Sequence, residues 1–181
     1  MCDTISIPPF FANRQYCDLI IRYGPTGGRI ELPAHKLVVC PQSKILETAC
    51  NETWNPRYSD ILFQQGTKTV FCLHPRHNPK AIEAVFETFY HLQHDTNEWL
   101  KDQAWSDVVH MHEIARLFGA PTLVHATKVA LVQMMKKMTE ENDPELGFAT
   151  AIIAGYPSLR EGLQDIELDE AMHLLGGMTI E

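Results

Sequence analysis

Residues 17–46, CDLIIRYGPTGGRIELPAHKLVVCPQSKIL, read as strand, Gly-rich turn, strand, and then a helix entered through Pro33-Ala34-His35-Lys36. Leu19 and Ile21 alternate with Ile20 and Arg22, the pattern of a short strand with one buried face. Pro25-Thr26-Gly27-Gly28 supplies residues that tolerate positive φ, so the chain reverses there. Ile30 and Leu32 alternate with Arg29 and Glu31, which predicts a second strand antiparallel to the first. The run Leu37-Val38-Val39-Cys40 is too continuously apolar for a surface helix and predicts a short buried one. Pro41 halts it, and Ser43 restarts the helix as an N-cap.

Working outward, Ile45, Leu46, Ala49 and Cys50 continue that helix to about Asn51. Residues 52–67, ETWNPRYSDILFQQGT, break every periodicity and predict a loop longer than ordinary connections. Its apolar groups Trp54, Tyr58, Ile61, Leu62 and Phe63 either fold back on the domain or present a sticky surface. Thr69 to Leu73 predicts a third strand. A helix follows from about Lys80 to His91, with Ile82, Val85, Phe86, Phe89 and Tyr90 on one face. The polar stretch 93–104 reads as a second loop. Two helices follow, joined at Gly119 and Pro121, where a C-cap and a helix start belong. Their core stripes are Val109, His112 or Glu113, Ala115 and Phe118 in the first, and Leu123, Ala126, Val129, Ala130 and Met134 in the second. Residues 143–175 predict two more helices split at Gly155-Tyr156-Pro157, with Asp143 as an N-cap. The fold class expected is α+β: a three-stranded, mostly antiparallel sheet flanked by a helical cluster, with a C-terminal helical extension.

The order and spacing of D-L-I-I, A-H-K-L-V-V-C and S-K-I-L resemble the opening of a BTB/POZ domain. The later A-R-L-F-G-A-P-T-L is similar to the hinge between that family's last two helices. The resemblance covers 17–138 and makes 1–16 an N-terminal segment. Residues 139–181 are similar, more loosely, to a C-terminal extension of fungal BTB-only proteins. It implies a protein–protein interaction module that forms a homodimer and docks another protein, with no catalytic residues and no cofactor. In dimeric members an N-terminal strand crosses to the partner. Ile5 and Ile7 fit such a strand, or else cover the chain's own sheet. Asp18 and Lys36 match positions that lie near the family's subunit interface; otherwise Asp18 caps the strand and Lys36 is solvated. The interface implied comprises Ile5, Ile7, Asp18, His35, Lys36 and Leu37, and the docking residues are Trp54, Tyr58 and Phe63. The alternative function is a substrate adaptor for a cullin-type ubiquitin ligase. Members that recruit a cullin carry a hydrophobic-x-Glu motif after the Ser-started helix, and here that position reads Trp54-Asn55-Pro56.

The remaining signals narrow the chemistry. A formal net charge of −8, with no basic block, argues against nucleic acid as a partner. No apolar run approaches the roughly 20 residues that cross a bilayer. The N-terminus lacks the basic and apolar regions of a signal peptide, so a cytoplasmic or nuclear location is expected. Five scattered cysteines without C-x-x-C read as reduced thiols. His91 and His94 stand three apart and His110 and His112 two apart, without the further ligands zinc needs. His35 reads as a partly buried hydrogen-bonding residue at the hairpin–helix junction. There is no G-x-S-x-G, P-loop or G-x-G-x-x-G. Cys40, near His35, lies in an apolar run that would leave its thiol inert.

Overall fold

A computed structural model of the chain describes residues 11, 13–25, 29–51, 62–90, 96–156 and 159, leaving aside the side chains of 97 and 98. The strands are β1 (Leu19–Tyr23), β2 (Ile30–Ala34), β3 (Leu62–Gln65) and β4 (Lys68–Cys72). The helices are α1 (Lys36–Val39), α2 (Lys44–Asn51), α3 (Pro79–Tyr90), α4 (Thr96–Lys101), α5 (Trp105–Leu117), α6 (Pro121–Glu140) and α7 (Leu146–Ala154), and a 3-10 turn, Cys40–Gln42, separates α1 from α2. The class is α+β. The described residues form two compact units. One takes the chain up to Gln93 together with Ile114–Pro121; the other takes His94–Glu113 and the chain from Thr122.

The first unit is built on a mixed sheet of order β2-β1-β4-β3. β1 pairs antiparallel with β2 and parallel with β4, and β3 pairs antiparallel with β4. The alternation in β1 holds as expected: Leu19, Ile21 and Tyr23 are buried, with Ile20 and Arg22 on the opposite face. β2 runs further than the alternation suggests, carrying Pro33 and Ala34 into the ladder opposite Ile20 and Leu19. Proline is tolerated there because β2 ends the sheet, so the N–H it lacks is not needed for a further strand.

Two expected loops contain regular structure. Within 52–67, Leu62–Gln65 forms β3, folded onto β4 through a turn at Gly66 (φ +65°). Pairing with β4 organises this short strand, whose Gln64 and Gln65 are exposed. Within 93–104, Thr96–Lys101 is helical, anchored by fully buried Leu100.

The core of the first unit is mainly aliphatic, with a cluster of aromatic rings in it. Phe118 stands edge-on to Phe86 at 5.1 Å and tilted against Phe71 at 5.8 Å, and Phe86 meets Phe89 at 5.5 Å. Offset and edge-to-face contacts of this kind add about 0.5–1.5 kcal/mol each beyond area burial. α3 begins at Pro79 as expected, with Asn78 Oδ1 accepting from Lys80 N–H at 2.9 Å.

The second unit is helical. Its α6 buries Leu123, Ala126, Thr127, Ala130, Leu131, Val132, Met135 and Met138, so the expected stripe is corrected: Val129 and Met134 are only half-buried. His112 of α5 is fully buried. Its Nδ1 lies 2.9 Å from Thr127 Oγ1. The Thr127 hydroxyl gives its proton to Leu123 O at 2.8 Å, so Nδ1–H is the donor. α7 starts at Leu146, later than expected. Asp143 Oδ1 accepts from Glu145 N–H at 2.8 Å in a turn and does not cap the helix.

Candidate functional site

The best-formed constellation lies where the hairpin runs into α1. Asp18, just before β1, accepts the backbone N–H of Lys36 on Oδ1 at 2.8 Å. That N–H opens α1 and has no partner inside the helix. Asp18 therefore caps the start of the helix, where a carboxylate also suits the helix dipole. Lys36 itself is half-exposed.

His35 holds the junction, as its expected hydrogen-bonding role requires. Its Nε2 lies 2.9 Å from the Gln15 carbonyl, its Nδ1 2.9 Å from the Tyr90 hydroxyl, and its backbone N–H donates to that hydroxyl at 2.8 Å. A carbonyl only accepts, so Nε2 carries the proton. Tyr90 then accepts from the backbone and donates to Nδ1. Burial pushes the Tyr90 phenol up to about 12, partly offset by the His35 N–H. One side chain of α3 thus fixes the entry to α1 from two directions. At the other end of β1, Tyr23 donates to Glu83 at 2.6 Å, and burial followed by that carboxylate pushes its phenol upward.

The N-cap of α2 comes out as the sequence predicts. Ser43 is fully buried; its Oγ accepts Leu46 N–H at 3.1 Å and donates to Phe118 O at 2.5 Å. Lys44 N–H and Ile45 N–H reach Gly119 O and Phe118 O at 3.2 and 3.3 Å. The first amides of α2 are thereby satisfied by the turn after α5.

This rigid frame presents apolar groups to solvent. Leu37 is 88% exposed and Tyr16 is 82% exposed. Tyr16 follows Gln15 directly, and Leu37 lies two positions after its bonded partner His35. Tyr16 also adopts φ +61°, a conformation costly for a side chain of its size. The expectation that Leu37–Cys40 is a buried helix is therefore corrected. α1 is a single turn ended by the 3-10 turn, so it can bury one side only, and that side is Val39.

Other expected site residues are dispersed or lie elsewhere. Ile5, Ile7, Trp54, Tyr58, His91 and His94 fall outside the described residues. Phe63 is half-buried on β3, with the Arg22 guanidinium 5.4 Å above its ring. Arg22 also pairs with Glu31 at 2.8 Å and donates to Gln65 at 2.7 Å. Phe63 is thus part of a cross-strand ladder. Among the described residues no three His, Cys, Asp or Glu gather as metal ligands, and no helix is long and apolar enough to cross a membrane.

A recess of about 30 Å³ lies between Arg14, Cys17, Ile20, Glu31, Pro33 and Lys68. Small-molecule pockets run to roughly 300–1,000 Å³, so this recess is too small for a metabolite. Lys68 Nζ donates to Cys17 Sγ within it at 3.0 Å. Sequence reasoning found His35 and Ser43 but missed Tyr16 and Tyr90. The helical spacing puts Tyr90 on the buried face of α3, and nothing local marks it as the partner of a residue 55 positions away. Compared with known proteins, the chain matches no family model and no curated protein.

Proposed function

We propose that this chain is a protein–protein interaction module of BTB/POZ type, which self-associates and docks a further protein without bond-making chemistry. The carrying observation is Leu37, a large aliphatic side chain 88% exposed on a helix whose entry is hydrogen-bonded by Tyr90 and Asp18. An apolar group fixed outward by a rigid frame gains most when a partner covers it, at about 25 cal/mol per Å² removed from water. Tyr16 adds an aromatic anchor, the residue type favoured at interface centres. The hairpin, the Asp18-capped α1 and the Ser43-capped α2 follow the order the resemblance implies, which supports the same reading.

Sedimentation velocity of Leu37→Asp beside the native chain tests this. The variant is expected to sediment as the monomer at concentrations where the native chain is associated, and to unfold at the midpoint the native chain shows when diluted to monomer, because Leu37 contributes little to the core. Equal sedimentation of the two proteins contradicts the role given to α1.

A further inference from the structure

The second unit carries an exposed apolar surface of its own, far in sequence from Tyr16 and Leu37. α7 buries Ala149 and Ile153 and leaves Phe148, one position earlier, 64% exposed. Trp105, the first residue of α5, meets it: the two rings stand edge-to-face, 6.0 Å apart at 79°. Glu145 completes the corner. Its carboxylate does not cap α7; Oε2 accepts the Trp105 indole N–H at 3.0 Å instead. That bond holds the carboxylate beside the rings, and among the described residues Oε1 has no donor, so it can accept from a ligand.

The surroundings select the ligand by charge. The segments that meet here, 102–107 and 140–148, carry Asp102, Asp107, Glu140, Glu141, Asp143 and Glu145 and no Lys, Arg or His. Lys137 lies one turn before Glu141 and pairs with it at 3.9 Å, offsetting one of the six. A second copy of the chain would bring the same carboxylates against this face, and phosphate groups would meet like charge. An exposed aromatic corner rimmed by carboxylates suits a cation, attracted by the ring quadrupole and by Glu145 together. Of the two cationic side chains arginine fits better. Its planar guanidinium stacks on a ring, is more weakly hydrated than an ammonium, and keeps its N–H groups in plane for a carboxylate.

We propose that Trp105, Phe148 and Glu145 form a docking site for a basic segment of another protein, with an arginine laid against the rings and paired with Glu145. The site goes beyond the self-association argued from Leu37. It rests on other residues, so either can fail without the other.

The test is fluorescence anisotropy of the full chain with a labelled peptide of alternating arginine and glycine, beside versions carrying lysine or glutamate. It is run at about 0.15 M salt, where exposed charges beyond about 8 Å are screened. Saturable binding of one arginine peptide per chain is expected, weaker binding of the lysine peptide, and none of the glutamate peptide. Phe148→Ala keeps every charge, and Glu145→Gln keeps an acceptor for the indole; each is expected to weaken binding about tenfold while still unfolding cooperatively. Leu37→Ser is expected to bind the peptide as the native chain does. No saturable binding, unchanged affinity in Phe148→Ala, or equal affinity for the arginine and lysine peptides overturns the proposal. So does a Phe148→Ala chain that binds normally but loses molar mass, which would make this face a contact between two copies.

Discussion

Tyr90 shows how much one residue can hold. Its hydroxyl accepts from the His35 backbone and donates to the His35 ring, so a single oxygen of α3 holds the residue before α1 twice. Tyr90→Phe is expected to lower unfolding stability by about 1–3 kcal/mol, the cost of stripping a partner from buried polar groups. Urea denaturation with an unchanged m-value checks it. The phenol proton is held more tightly in the folded chain, where it leaves at about 12, than at the ordinary 10.0. Its contribution is complete below pH 10 and is lost as pH rises through 12, so stability falls with pH in that window. The slope should be shallower in Tyr90→Phe. At this scale the sequence was readable where chemistry is local. Ser43 announces its helix by type and position. His35 was readable as a hydrogen-bonding residue, but its partners were not, because Gln15 and Tyr90 come from distant parts of the chain.

Elements were legible in proportion to how strongly their own residues dictate them. β1 and α3 carry clean periodicities and appear within a residue or two of their expected bounds. β3 and α4 do not: LFQQ lacks a regular alternation and TNEWLK is polar and short, so pairing with β4 and burial of Leu100 decide their structure. α6 is legible as a helix but its stripe is not, since a 20-residue helix that buries eight side chains has no single narrow face. The α5–α6 turn was legible through Gly119, which adopts φ +59°. A Cβ there would stand 3.4 Å from Ile45 Cγ1, tighter than open space but no hard clash. Gly119→Ala is expected to cost about 1–2 kcal/mol, the penalty of the left-handed region for an L-residue. The Gly119 carbonyl also meets the start of α2, so the loss should appear as faster amide exchange at Lys44 and Ile45. Protection unchanged from the native chain would show that the turn tolerates a side chain.

At the scale of the whole molecule, the proposed function lies in its surface. A leucine and a tyrosine stand near-fully exposed on a hydrogen-bonded frame. A net charge of −8 favours a partner whose contact is apolar or basic over a phosphate backbone. The α+β class was readable from the alternation of strand and helix patterns; the two-unit division was not, because the chain passes between units inside α5, where no linker composition marks it. The most direct measurement is absolute molar mass by light scattering across a dilution series of the native chain. A mass tending to twice 20.6 kDa at high concentration and falling on dilution is the predicted result. A constant 20.6 kDa at every concentration contradicts self-association and with it the proposed function.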